Sequence, residues 1–191
     1  MVKRKWAVFF DRDGTINEEV GYLRDLDSLV LYPDAARAVG MVNASGMKAV
    51  VVTNQSGVAR GYFKESFVHV VHRRIQEMLQ SEGAQIDRFY YCPHHPDEGL
   101  GEYRRACDCR KPRPGMLLKA AEELDLDLSR SYLVGDTMKD METARNAGMR
   151  GILVATGFAG RDGSPVEPVH RAPNLLSAVQ WIMKDMEDRD G

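Results

Sequence analysis

Five short apolar runs punctuate the chain, at 6–10, 49–53, 89–92, 132–134 and 151–155. They are too short for helices, and runs such as Ala49-Val50-Val51-Val52 show none of the alternation of a strand with one wet face. Continuous apolar runs of this length suit strands of a parallel sheet covered on both faces. The stretches between them repeat at helical spacing. The longest, 64–82, sets Phe67, Val70, Val71, Ile75, Met78 and Leu79 along one side and stops at Gly83. A second helix is expected to start with Pro33 at its first position and to end at Gly46. Further helices are expected over 114–124, over 138–147 before Gly148, and over 174–186, with 184–191 as a fraying end. Strands alternating with helices predict an α/β fold, a doubly wound, Rossmann-like parallel sheet, and ligands in such sheets bind beyond the carboxyl ends of the strands.

A length of 191 residues fits one domain, 1–191, with a core of useful size. A formal net charge of −2 and no basic stripe exclude a bulk electrostatic case for nucleic acid. The opening "MVKRKWAVFF" has basic residues before an apolar run, but Asp11 interrupts that run well short of the ~7–15 apolar residues of a signal peptide. No stretch approaches the ~20 apolar residues of a membrane span. The expectation is a cytoplasmic protein, monomeric, with a small-molecule substrate and neither nucleic acid nor membrane as partner.

The polar residues that follow the apolar runs carry the chemistry. The first run ends in "DRDGT", the second in "TNQSG" and the fourth in "GDTMKD". Asp11 and Asp13 leave the first strand one residue apart, at a turn where Gly14 permits a sharp bend. Carboxylates this close repel unless a cation neutralises them, and Mg²⁺ is typically held by one or two carboxylates together with substrate phosphate and water. Asp136 can be a further ligand. One carboxylate of the pair can be a nucleophile and the second a general acid and base. Thr53, Asn54 and backbone N–H groups beyond the second strand can hold phosphate oxygens, and Lys111 can neutralise charge during phosphoryl transfer. Taken singly, each motif reads more simply as a turn or a helix cap. Their combination, each at a strand end, points to one phosphate site.

All three cysteines lie in one loop, Cys92-x-His94 … Cys107-x-Cys109. Three thiolates and an imidazole are a full tetrahedral set for a structural Zn²⁺, with no open position for catalysis. An odd count and a reducing compartment argue against disulfides. His95 is an alternative ligand to His94. Such a staple over 92–109 would place Arg110 and Lys111, which follow directly, beside the phosphate site. Arg104 and Arg105 either reach a second phosphate or form a solvated face. His69 and His72 have helical i, i+3 spacing but no third ligand, and a surface or boundary position is expected; Met116, Met138 and Met141 are expected in the core.

On "DRDGT", Thr53, Lys111 and "GDTMKD", the chain resembles the haloacid dehalogenase (HAD) superfamily of phosphatases. The resemblance implies Asp11 as nucleophile, Asp13 as acid/base, and Mg²⁺ on Asp11, Asp136 and the Asp13 backbone carbonyl. It also implies Thr53 and Lys111 on the transferring phosphate and Asp140 as a supporting acid. The segment 17–32 is too short for the helical cap that many members carry, so a capless fold with a zinc-stapled loop is expected. With "CPHHP", "CDCRKPRPG" and "TNQSGVARGYF", the chain is similar to the heptose-bisphosphate phosphatase family, whose nearest relatives are the histidinol-phosphate phosphatases. That implies removal of the 7-phosphate of D-glycero-D-manno-heptose 1,7-bisphosphate in the making of ADP- or GDP-heptose precursors, for lipopolysaccharide or surface-layer glycan. Histidinol phosphate or another small phosphomonoester is the alternative substrate. It further implies substrate contacts from Arg12, Glu19, Val20, Gly21, Tyr22, Asn54, Gln55, Ser56 and Arg110. Where the family usually shows Asp-His before Gly-Tyr this chain has Glu19-Val20, and where a Lys usually follows the last motif's first Asp it has Thr137.

Overall fold

The computed structural model describes residues 5–163 and 166–190; the basic start of the chain, read above as no signal peptide, lies mostly outside them. The elements run β1 (Ala7–Phe10), α1 (Ala35–Ala44), β2 (Lys48–Asn54), α2 (Glu65–Ser81), β3 (Arg88–Cys92), α3 (Gly115–Leu124), β4 (Tyr132–Gly135), α4 (Met138–Asn146), β5 (Arg150–Val154), β6 (His170–Ala172) and α5 (Leu175–Asp190). All strands are parallel, in the order β3-β2-β1-β4-β5-β6. The order reverses between β1 and β4, the position at which a doubly wound sheet opens a crevice for ligand.

Register brings the site together. Phe10, the last residue of β1, stands opposite Val51 on one side and Val134 on the other. The Asp11 N–H continues the ladder to the Val134 carbonyl at 2.9 Å. Asp11, Thr53 and Asp136 therefore leave three adjacent strands at nearly the same height.

The apolar runs are continuous because both faces are covered. Val8 and Phe10 point into a core shared with α1, α2 and α5, while Ala7 and Phe9 point into a second core against α3 and α4. Burying a side chain such as Phe9 contributes about 1.5–3 kcal/mol, and the rigidity so gained holds the strand ends. Met116, Met138 and Met141 are buried as expected. Gly46, Gly83 and Gly148 follow α1, α2 and α4 with φ of +81°, +78° and +68°, the left-handed position that ends helices.

The structure corrects four expectations. The described residues form six strands: β6, His-Arg-Ala, is a three-residue edge strand with no apolar run to betray it. Pro33 is not the first helical residue; the Ala38 N–H bonds to the Asp34 carbonyl at 2.9 Å, so α1 starts at Ala35. Helix α5 continues to Asp190 because its charged end is anchored: Asp185 accepts from Tyr132 Oη at 2.7 Å and from Arg150 Nη2 at 2.9 Å. His72 is neither at the surface nor at the boundary. It is buried, stacked on Phe89 at 4.7 Å, and burial pushes its imidazole down to about 3.

The segment between β1 and α1 contains no helix, so no helical cap covers the crevice among the described residues. Among the described residues no helix is long and apolar enough to cross a membrane.

Candidate active site

A cleft of about 320 Å³ lies over the carboxyl ends of β1, β2 and β4. Asp11, Asp13, Glu19, Gly21, Tyr22, Thr53, Asn54, Ser56, Arg110, Lys111 and Asp136 all line it. Of the nine residues expected to contact substrate, three do not. Val20 faces solvent, whereas Arg12 and Gln55 are buried behind the cleft.

Arg12 and Gln55 act on Asp13. Arg12 Nε and Nη2 donate to Asp13 Oδ1 at 3.1 and 2.9 Å, and Nη2 donates to Oδ2 at 2.8 Å. The amides of Asn17 and Gln55 add bonds of 2.9 and 2.8 Å. Burial alone would raise the Asp13 carboxyl, but the Arg12 guanidinium and these amides outweigh it and hold it below the usual carboxylate range. Gln55 Nε2 also donates to Thr53 Oγ1 at 2.9 Å, which turns the Thr53 hydroxyl hydrogen toward other acceptors.

Lys111 is fixed from several directions. Its Nζ lies 2.9 Å from Asp11 Oδ1 and 2.6 Å from Asp140 Oδ1, and donates to the Val52 carbonyl at 3.2 Å. The Asn54 side chain pairs with the Lys111 backbone both ways, accepting from its N–H at 3.1 Å and donating to its carbonyl at 3.2 Å. Burial would lower the Lys111 ammonium, but Asp11 and Asp140 raise it, so it is a cation at neutral pH. Asp140 Oδ2 completes a capping box with Thr137 at the start of α4.

Asp11, Asp136 and Asp140 bring carboxylate oxygens within 4.8 Å of one another. Asp140 is already satisfied by Lys111 and Thr137. Asp136 is not. The Phe158 N–H donates to its Oδ2 at 2.7 Å, whereas Oδ1 is buried without a partner. An orphaned carboxylate oxygen beside a second carboxylate fits a hard divalent cation. The space is held open by Gly14, at φ +79°, where a Cβ would lie 2.3 Å from Asp136 Oδ2.

Asp11 is pushed up to about 7, first by burial, with Asp140 and Asp13 adding to it against the pull of Lys111. Asp136 is pushed up to about 8 by burial and by Asp11 and Asp140. Unfolded, both carboxyls would titrate near about pH 4. Between that pH and their folded values the folded protein holds more protons, so these groups make stability fall as pH rises. A cation neutralising them should therefore help most at high pH. Melting temperatures at about pH 6 and pH 8.5, with and without Mg²⁺, should show a larger Mg²⁺-induced rise at the higher pH. Equal shifts at both would contradict the reading of this cluster.

The cysteine loop closes on itself. Cys92 Sγ is 3.5 Å from Cys107 Sγ, Cys107 is 3.4 Å from Cys109, and His94 Nδ1 is 3.7 and 3.5 Å from Cys92 and Cys109. Disulfide sulfurs would sit about 2.05 Å apart. Sulfurs 2.3 Å from a common tetrahedral centre would sit about 3.8 Å apart, close to what is found. The histidine of this set is His94. His95 instead accepts the N–H groups of Asp97 and Glu98 at 3.3 and 3.0 Å and closes a turn. Arg105 Nη2 lies 2.9 Å from His94 Nε2, while Arg104 is exposed. Arg110 Nη1 donates to the His94 carbonyl at 3.1 Å, so the loop does position Arg110, whereas Lys111 has its own anchors.

The segment after β5 escaped the sequence reading. Phe158 lines the cleft, as does Lys139 of α4, and Thr156 Oγ1 donates to the Gly14 carbonyl at 2.6 Å. Gly157 leaves room for Asp136, where a Cβ would lie 2.2 Å from Oδ2. "TGFAG" follows a strand as the other motifs do, which was the available signal.

Residues 108–178 match the HAD-hydrolase-like family model. A relative from Thermosynechococcus vestitus, D-glycero-D-manno-heptose-1,7-bisphosphate 7-phosphatase, is 45% identical over 96% of this chain and 98% of its own. The Escherichia coli K12 protein D-glycero-beta-D-manno-heptose-1,7-bisphosphate 7-phosphatase is 39% identical over 98% of this chain and 93% of its own. Among solved structures, D,D-heptose 1,7-bisphosphate phosphatase from B. bronchiseptica, complexed with magnesium and phosphate, superposes with a TM-score of 0.84 at 29% identity. That match covers 94% of this chain and 99% of the other.

Proposed function

Since the chain belongs to the heptose-1,7-bisphosphate 7-phosphatase family of HAD hydrolases, we propose that it removes the 7-phosphate of D-glycero-D-manno-heptose 1,7-bisphosphate through an aspartyl-phosphate on Asp11. The observation that carries this reading is the orphaned Asp136 oxygen beside Asp11 and Lys111. Two carboxylates and a lysine cation meet there, buried along the cleft wall, with one carboxylate oxygen unsatisfied.

Asp11 and Asp136 would hold Mg²⁺ together with the Asp13 backbone carbonyl, and the ion would supply charge neutralisation for an incoming phosphate. The chain's own residues account for the remaining chemistry. A carboxylate oxygen of Asp11 attacks phosphorus in line, the phosphorus–oxygen bond to C7 breaks, and the electron pair leaves on the sugar oxygen. Asp13 gives that oxygen a proton. It then takes one from the water that cleaves the acyl phosphate and regenerates Asp11. The resting Asp13 is an anion held by Arg12; a phosphate dianion arriving beside it opposes that pull and raises the carboxyl. Lys111 and the Thr53 hydroxyl meet the equatorial oxygens, where charge is concentrated. Glu19, Gly21, Tyr22, Asn54, Ser56 and Arg110 face the sugar and its second phosphate. Arg12, with Gln55, serves the reaction through Asp13.

We assign the thiol loop to zinc: Cys92, His94, Cys107 and Cys109 are the donors, in a closed set that leaves the metal a structural part. The protein as isolated should carry about one zinc per chain, and stripping it with a strong chelator should lower the melting temperature and loosen Arg110. A zinc-free preparation that melts at the same temperature would remove this assignment. We further read the protein as a cytoplasmic monomer supplying heptose precursors, and the β anomer as its substrate, following the name of the Escherichia coli relative.

The substrate assignment is tested by kcat/KM with Mg²⁺ on both anomers of the heptose bisphosphate and on histidinol phosphate. A heptose anomer should be preferred by at least tenfold. Comparable turnover of histidinol phosphate would overturn the assignment and leave only the phosphatase chemistry.

A further inference from the structure

Tyr22 lines the cleft, yet no backbone–backbone hydrogen bond among the described residues engages residues 20–24. Side chains hold this wall, in an alternating series of cations and rings. The Arg24 guanidinium lies over the Tyr62 ring at 4.4 Å. Tyr62 meets Tyr22 edge to face at 4.7 Å and 74°. The Arg60 guanidinium sits 5.9 Å from the centre of the Tyr22 ring and pairs with Glu98. Three separate loops are joined in this way: 17–32, 55–63 and the metal loop that carries Glu98.

The two supporting loops are locked together by backbone. The Leu100 N–H donates to the Ala59 carbonyl at 2.8 Å. Gly99 packs so tightly that a Cβ would lie 2.8 Å from the Ala59 oxygen. At Gly57 a Cβ would lie 2.3 Å from the Phe63 ring and 3.2 Å from the Tyr22 ring, so the rings fill the space a side chain would need. Arg60 contacts Tyr22 through its ring and the metal loop through Glu98.

We propose that Arg60 is a positioning residue for substrate specificity: it couples Tyr22, the sugar-facing wall, to the metal loop through Glu98. The substrate part rests on the sugar-bisphosphate reading above. A cation over an exposed ring contributes enough to bias a loop without locking it, so the effect belongs in KM. A small phosphoryl donor whose leaving group is too short to reach Tyr22 does not use this wall.

The test uses Arg60→Met, which keeps the alkyl stem and removes the charge, with Arg60→Lys, Tyr22→Ala and the double variant, all as full-length protein. Arg60→Met should raise KM for the heptose bisphosphate roughly fivefold, leave kcat within about twofold and leave acetyl phosphate turnover unchanged. Arg60→Lys should recover part of the loss. The double variant should be no worse than Tyr22→Ala alone, since both act through one ring. Limited trypsin cleavage after Arg24 should be faster in Arg60→Met. Unchanged KM with unchanged cleavage, or additive losses in the double variant, would overturn the proposal. If the parent protein shows no preference for the heptose bisphosphate, the substrate reading fails, and the rate of cleavage at Arg24 then decides the coupling on its own.

Discussion

Asp11→Asn protein should be folded and inactive, with phosphate release down by ~10⁴-fold or more. The amide cannot form an acyl phosphate with the parent's ease, and it is a poorer partner for a cation. The fold should not suffer. Asp11 is a buried carboxylate pushed up to about 7 among Asp13, Asp136 and Asp140, so removing its charge relieves repulsion. Lys111 keeps Asp140 at 2.6 Å. A melting temperature equal to or above the parent's, together with lost turnover, is the combination expected of a nucleophile. Full activity in this variant would end the aspartyl-phosphate mechanism, whatever the substrate.

Lys111→Met separates the same site differently, because it costs stability as well as rate. Its Nζ is the cation between Asp11 and Asp140 and also satisfies the Val52 carbonyl. Methionine fills the volume and leaves two buried carboxylates facing each other. Breaking a buried pair on one side typically costs about 3–5 kcal/mol. The loss should be largest near pH 8 without Mg²⁺ and smaller near pH 6, where Asp11 takes up a proton. The rate should fall by ~10²–10³-fold through lost neutralisation of the transferring phosphate. Denaturant melts at the two pH values, alongside kcat, check both halves. A stable variant with a normal rate would mean that Lys111 is neither the brace nor the phosphate cation.

The sheet was legible in the sequence because each central strand is apolar on both faces: Val8 and Phe10 feed one core, Ala7 and Phe9 the other. The helix ends were legible where glycine adopts a positive φ, as at Gly46, Gly83 and Gly148. β6 was not legible, since an edge strand of three residues needs no apolar pattern. The length of α5 was set by a long-range contact, Asp185 with Tyr132 and Arg150, that local propensity does not carry. The strand-end rule led to Asp11, Asp13, Thr53 and Asp136, which line one cleft because ligand crevices open at the carboxyl ends of a parallel sheet. Motif position could not say which way a side chain points. Arg12 and Gln55 lie within the motifs but turn behind the cleft to hold Asp13. Phe158 reaches Asp136 only through its backbone N–H, so its residue type carried no signal.

The most direct test of the account is ³¹P NMR of heptose 1,7-bisphosphate turning over with Mg²⁺ and this protein. One equivalent of inorganic phosphate should appear, the C7 phosphomonoester resonance should disappear, and the anomeric phosphate signal should persist. Loss of the anomeric phosphate, or no turnover beside ready hydrolysis of histidinol phosphate, would contradict the account.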